Sequence, residues 1–220
     1  MQAPSRCLRP WLRFVADRQR GHAAAVTESE VRHEDWGGRE LLQETFSRVA
    51  FVEVDLSEVV TEGSVFEECT FRGVKFNVSL HTSTAFLNCT FTRCTFFDAT
   101  FTGCKLVGSH FDGCSLDLLK AVGGDWSFVG MAGANLGSAS LTDLRMREAD
   151  LTGVRAVNGT LRGLDLSGAS FGKGDLSGCD LRGSDLSGVE PGAVLLNGAI
   201  ITFEQAVVLA LAQGLDVRPE

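Results

Sequence analysis

A chain of 220 residues, 44% hydrophobic and 22% charged, has the composition of one sizeable globular domain or at most two small ones. Its formal net charge of −8 argues against a nucleic-acid binder and favours basic partners, including the positively charged grooves in which other proteins hold DNA. No apolar run approaches the roughly 18–20 residues that span a bilayer, so no membrane partner is expected.

The first 35 residues form an N-terminal extension that does not keep the five-residue repeat of the rest of the chain. MQAPSRCLRPWLRFVADRQR is net +4, and its apolar stretches fall short of the about 7–15-residue core of a secretory signal. A cytoplasmic location is expected. PWLRFVADRQRGHAAAV admits two readings, an amphipathic helix capping the first coil or a disordered arm. Trp36 and Leu41 are already in register with the repeat.

From Phe46 to Ile201 every fifth residue is large and apolar, over 32 positions with no insertion or deletion, except Thr61, His81, Ala121, Ala156 and Pro191. A helix would scatter such positions around its axis, and a straight strand would alternate them between faces. The pattern fits a chain that turns a corner every five residues and points each central side chain at a common interior. Two residues earlier the side chains are mostly small, as in Ser64, Cys69, Cys89, Ala99, Cys104, Ala149 and Cys179, which suits a narrow tube. LSG at 166–168, 176–178 and 186–188 supplies glycine for tight corners. Four segments close a square coil of 20 residues, and 44–203 builds about eight coils.

The segments ADLTG (149–153), LDLSG (164–168), GDLSG (174–178), CDLRG (179–183) and SDLSG (184–188) resemble the A(D/N)LXX motif of the pentapeptide-repeat proteins. The resemblance implies an all-β fold, a right-handed quadrilateral β-helix, over 36–203. Within the family, VTEGSVFEECTFRGVKF (60–76), HTSTAFLNCTF (81–91) and EQAVVLALAQGL (204–215) are similar to the mycobacterial fluoroquinolone-resistance group. That likeness implies a rod-shaped homodimer that imitates duplex DNA and occupies the DNA-binding saddle of DNA gyrase. The loops of the enterobacterial plasmid-borne relatives have no counterpart, because the register never slips.

Residues 204–220 break the period. Thr202 with Gln205 forms a capping box, and Gly214 stands where a helix stops. The helix between is apolar all round. One side closes the coil; the other needs either a partner or a fold-back of Leu215 and Val217. The preferred reading is a homodimer through Phe203, Val207, Val208, Leu211 and Leu215.

Of the seven cysteines, all but Cys7 take the small inward position and are read as core residues. Their spacing lacks the paired ligands of a zinc site. His81 takes a central position as an interior histidine. With no nucleophile elbow, phosphate loop or acid–base constellation, neither catalysis nor a cofactor is expected.

The charges therefore lie outside. The face of Phe46 carries Glu67, Glu68, Asp125, Glu148, Asp165 and Asp185, and the face of Leu56 carries Asp98 and Asp117. These eight are the candidate partner-binding residues, although Asp before a central Leu also suits bonding to the corner backbone. The function expected is gyrase binding in competition with DNA, giving resistance to quinolone-type poisons. The alternative is a structural or scaffold rod with another protein partner.

Overall fold

The computed structural model describes residues 25–218. These residues form a four-sided β-solenoid, with short parallel strands stacked along a common axis. Strand β1 (Ser29–Arg32) precedes β2 (Glu40–Leu42), β3 (Thr45–Ser47) and β4 (Val49–Val52). Each residue pairs with the one 20 positions on: Val31 with Phe51, Phe51 with Phe71, Phe71 with Phe91, Phe91 with Phe111. The ladder continues through bridges linking residues 110, 130, 150 and 170. At about 4.8 Å per step, the seven steps along this side rise roughly 34 Å.

The coil begins earlier than the residue-36 boundary read from the sequence. Ser29–Arg32 already pairs in full register with Val49–Val52. Val31 and Val26 are in phase with Trp36, but their modest size and the acidic residues around them hid the repeat. The rest of the N-terminal extension, residues 1–24, lies outside the described residues.

The corners explain the period. Two residues after most central side chains the backbone enters the left-handed region, as at Gly168 (φ 70°), where no side chain resists it. Among the described residues seventeen non-glycine residues adopt the same conformation, Val78, Leu118 and Phe128 among them. The central side chains form columns inside the tube. Phe51 stacks on Phe71 at 4.9 Å, and Phe71 on Phe91 at 4.8 Å. Phe66 stacks on Phe86 and Phe76 on Phe96 in the same way, all of them buried. Where the central residue shrinks to Ala121, the following Trp126 fills the space, edge-on to Phe101 at 5.8 Å.

The small inward position has a second role. Its hydroxyl or thiol donates to the carbonyl 23 residues earlier: Ser64 to Leu41, Ser109 to Phe86, Cys89 to Phe66, Cys94 to Phe71 and Cys104 to His81. Cys69, Cys89, Cys94, Cys104 and Cys179 are buried and Cys114 is half-buried, as the core reading requires. Helix α1 (Phe203–Ala212) closes the C-terminal end. Its capping box forms as expected, and Gly214 follows at φ 81°. Gln205 also turns inward, donating 2.7 Å hydrogen bonds to the carbonyls of Leu181 and Ser184.

Candidate functional site: acidic faces and a terminal helix

The Asp that precedes a central Leu is first a corner-capping residue. Asp165 accepts from the Ser167 amide and hydroxyl, Asp185 from the Ser187 amide at 2.9 Å, and Asp125 from both groups of Ser127. Hydrogen bonding from Ser167 and Ser187 holds the Asp165 and Asp185 carboxyls below the usual carboxylate range. The neighbouring Arg182 presses Asp180 down to about 2. These carboxylates stay ionised because the fold itself solvates the charge.

The eight predicted residues separate into two groups. Four meet cations: Glu68 pairs with Arg48 at 2.8 Å, Asp98 with Lys120 at 2.6 Å, Asp125 with Arg145 at 3.2 Å, and Asp165 with Arg147. Glu67, Asp117, Glu148 and Asp185 form no ion pair with a described residue within 4 Å. Asp117 instead accepts from the Ser115 and Ser138 hydroxyls. Asp98 and Asp117 lie at a different corner from the other six, so the eight do not form one continuous stripe.

A stronger pattern runs along the axis rather than by face. Residues 28–68, about two turns, hold twelve carboxylates and three arginines, net −9. Residues 69–148 hold six acids and seven bases, net +1. Sequence reasoning missed this because Glu28, Glu30, Glu34 and Asp35 were placed outside the rod. Recognising Val31 as in phase would have brought them in.

At the other end, the dimer residues divide by exposure. Phe203 is 81% exposed, and Leu211 and Leu215 are exposed by more than half. Val208 is also exposed, Val207 is half-buried, and Leu209 packs on the core. The fold-back of Leu215 and Val217 does not occur, since both remain exposed. An apolar face of α1 is thus left open, and Leu195 and Ile200 in the last turn are exposed as well.

The model for pentapeptide repeats matches residues 131–168 and 157–188, the stretch where the Asp-Leu pentads stack in the coil. Residues 131–188 are pentapeptide repeats. The phenylalanine-rich stretch before them, residues 41–116, matches the model of the SV2A/B/C luminal domain. Pentapeptide repeat protein MfpA of Mycolicibacterium smegmatis is 48% identical over 52 residues, covering 24% of this chain and 27% of that protein. MfpA of Mycobacterium tuberculosis is 49% identical over 45 residues, covering 20% and 25%. The aligned part thus spans about a quarter of these relatives' own length. Among solved structures, a trypsin-treated variant of QnrB1, a plasmid-mediated fluoroquinolone resistance protein, superposes with a TM-score of 0.52. At 22% identity it covers 88% of this chain and 99% of its own, which shows the shared fold. No helix among the described residues is long and apolar enough to cross a membrane.

Proposed function

We propose that this pentapeptide-repeat rod binds DNA gyrase, a type II topoisomerase, in place of DNA, inhibits supercoiling and thereby counters quinolone-type gyrase poisons. The observation that carries the reading is local charge density. Two turns rise about 10 Å, and duplex DNA of that length carries about six negative charges. The first two turns carry net −9, so this end reaches the charge density of DNA even though the whole rod averages far less. Likeness to MfpA and to a fluoroquinolone resistance protein supports the same conclusion. The rod acts by occupancy rather than catalysis, needs no cofactor, and works in the cytoplasm where gyrase and DNA are.

A homodimer through the open face of α1 completes the proposal. Pairing the C-terminal ends doubles the length and sets the two acidic ends at the outer tips. Phe203, Val207, Val208, Leu211 and Leu215 would form the seam.

A scaffold rod with a different protein partner is favoured by one observation, the ion pairing of four of the eight predicted acids. A supercoiling assay with gyrase from the same organism separates the two readings. Wild-type rod is expected to inhibit at micromolar concentration, less as salt rises. Changing Glu44, Glu58, Glu62 and Glu67 to Gln weakens inhibition several-fold, because these exposed side chains are neither corner caps nor ion-paired. Full supercoiling at micromolar rod would leave the scaffold.

A further inference from the structure

We infer that residues 1–24 seat on the open N-terminal end of the coil, their arginines against the carboxylates of the first two turns. The two ends of the solenoid are not alike. The C-terminal end is covered by α1, with Gln205 satisfying two carbonyls of the last turns. No described residue does this at the other end. Among the described residues, strands β1, β2 and β3 pair only with the following turn, which leaves a backbone edge of the kind that proteins cover. Above that edge Val31, Trp36 and Phe46 are only half-buried, whereas Phe51, Leu56 and Phe66 one turn on are at most 1% exposed. Val26, which leads into β1, is 87% exposed. An apolar end plate therefore lies open, ringed by acids. Glu34 accepts the Trp36 indole N–H at 2.7 Å, and Arg39 lies over the same ring at 5.2 Å.

Charge decides among occupants. A second copy meeting this end head to head would bring −9 against −9. Residues 1–24 carry five arginines and one aspartate, net +4, and the apolar stretch Trp11, Leu12, Phe14 and Val15. That composition is complementary to an apolar plate with an acidic rim. The segment enters the rod at residue 25, on the first turn, so its ends need not travel. Twenty-four residues reach up to about 80 Å when extended, and tethering gives an effective concentration in the millimolar range. Seated there, the segment covers the edge and neutralises part of the acidic end. It then competes with any basic partner for those carboxylates, whether or not that partner is gyrase.

Cys7 offers a direct test in the full-length chain. Cys114 is the remaining half-buried thiol among the described residues. Cys114→Ser removes it while keeping a donor, as Ser64, Ser109 and Ser184 provide at equivalent positions. A nitroxide on Cys7 is expected to quench most of the amide signal from residues 28–47 and to leave residues 176–200 unchanged. Changing Arg6, Arg9, Arg13, Arg18 and Arg20 to Glu should restore the quenched signals. Undiminished signals from 28–47 would overturn the inference. So would quenching that survives the charge reversal, or quenching seen only when spin-labelled protein is mixed with isotope-labelled protein, which would assign the contact to a second copy.

Discussion

Val78 turns its corner at φ 57° with a β-branched side chain, a conformation that favours glycine. Holding a non-glycine residue there costs about 1–2 kcal/mol, and the extra unfolded-state entropy of glycine returns about 0.5–1 kcal/mol of it. Val78 is also half-exposed, so little packing is lost on truncation. Val78→Gly is therefore expected to raise the thermal midpoint by about 2 °C; an unchanged or lower midpoint in a melting scan would contradict the strain. His81 makes the opposite kind of prediction. Its Nδ1 lies 2.8 Å from the Thr61 hydroxyl and its Nε2 2.9 Å from that of Ser79, which itself donates to the Phe76 carbonyl. That arrangement satisfies a neutral ring with its proton on Nε2. Burial depresses its pKa from 6.5 to about 3. Above pH 6.5 neither state is protonated there and stability is unaffected. As pH falls from 6.5 toward 3, the unfolded chain takes up a proton that the folded chain refuses, and stability falls by about 1.4 kcal/mol per unit. The capped aspartates act in the same direction, but only below about pH 4. Between pH 6.5 and 4.5 wild-type protein should thus lose about 3 kcal/mol. In His81→Leu, chemical denaturation at the two pH values should show a much smaller difference, although the variant is less stable throughout. An undiminished pH effect would reassign it to other groups.

At the scale of elements, the solenoid was legible because packing alone sets its period. Phe46, Phe66 and Phe86 must face one axis, and nothing else in the chain competes with that requirement. The inward histidine and the core thiols followed from the same register. What stayed hidden was hydrogen bonding. Nothing in the spacing announces that Cys89 or Ser109 donates 23 residues back, or that Asp125 and Asp165 pair with arginines. The corner bonding of Asp165 was legible from its place before a central Leu; its ion pair was not. Helix α1 was legible to the residue at its cap, through Thr202 and Gln205, and its open face follows from the all-round apolar composition. Leu211 lies exposed on α1. The proposed dimer predicts that wild-type protein sediments as a dimer and Leu211→Glu as a monomer, without much loss of thermal stability, since the Leu211 side chain is more than half exposed. A dimer that survives this change would move the interface elsewhere.

For the whole molecule, polarity along the axis matters more than the average charge. Under the proposed function, the acidic first two turns serve as the binding end, the near-neutral middle as a spacer and the apolar C-terminal helix as the joining end. With the coil read as beginning near residue 36, Glu28, Glu30, Glu34 and Asp35 fall outside the rod. Once Ser29–Arg32 is paired into the first turn, the acids gather at one end at a density comparable with a duplex. The most direct test monitors a fluorescent DNA duplex bound to gyrase from the same organism while the rod is titrated in. The account predicts displacement of the duplex, with a midpoint that rises in proportion to DNA concentration and shifts to higher rod concentration as salt increases. A gyrase that keeps its full complement of duplex at saturating rod would contradict it.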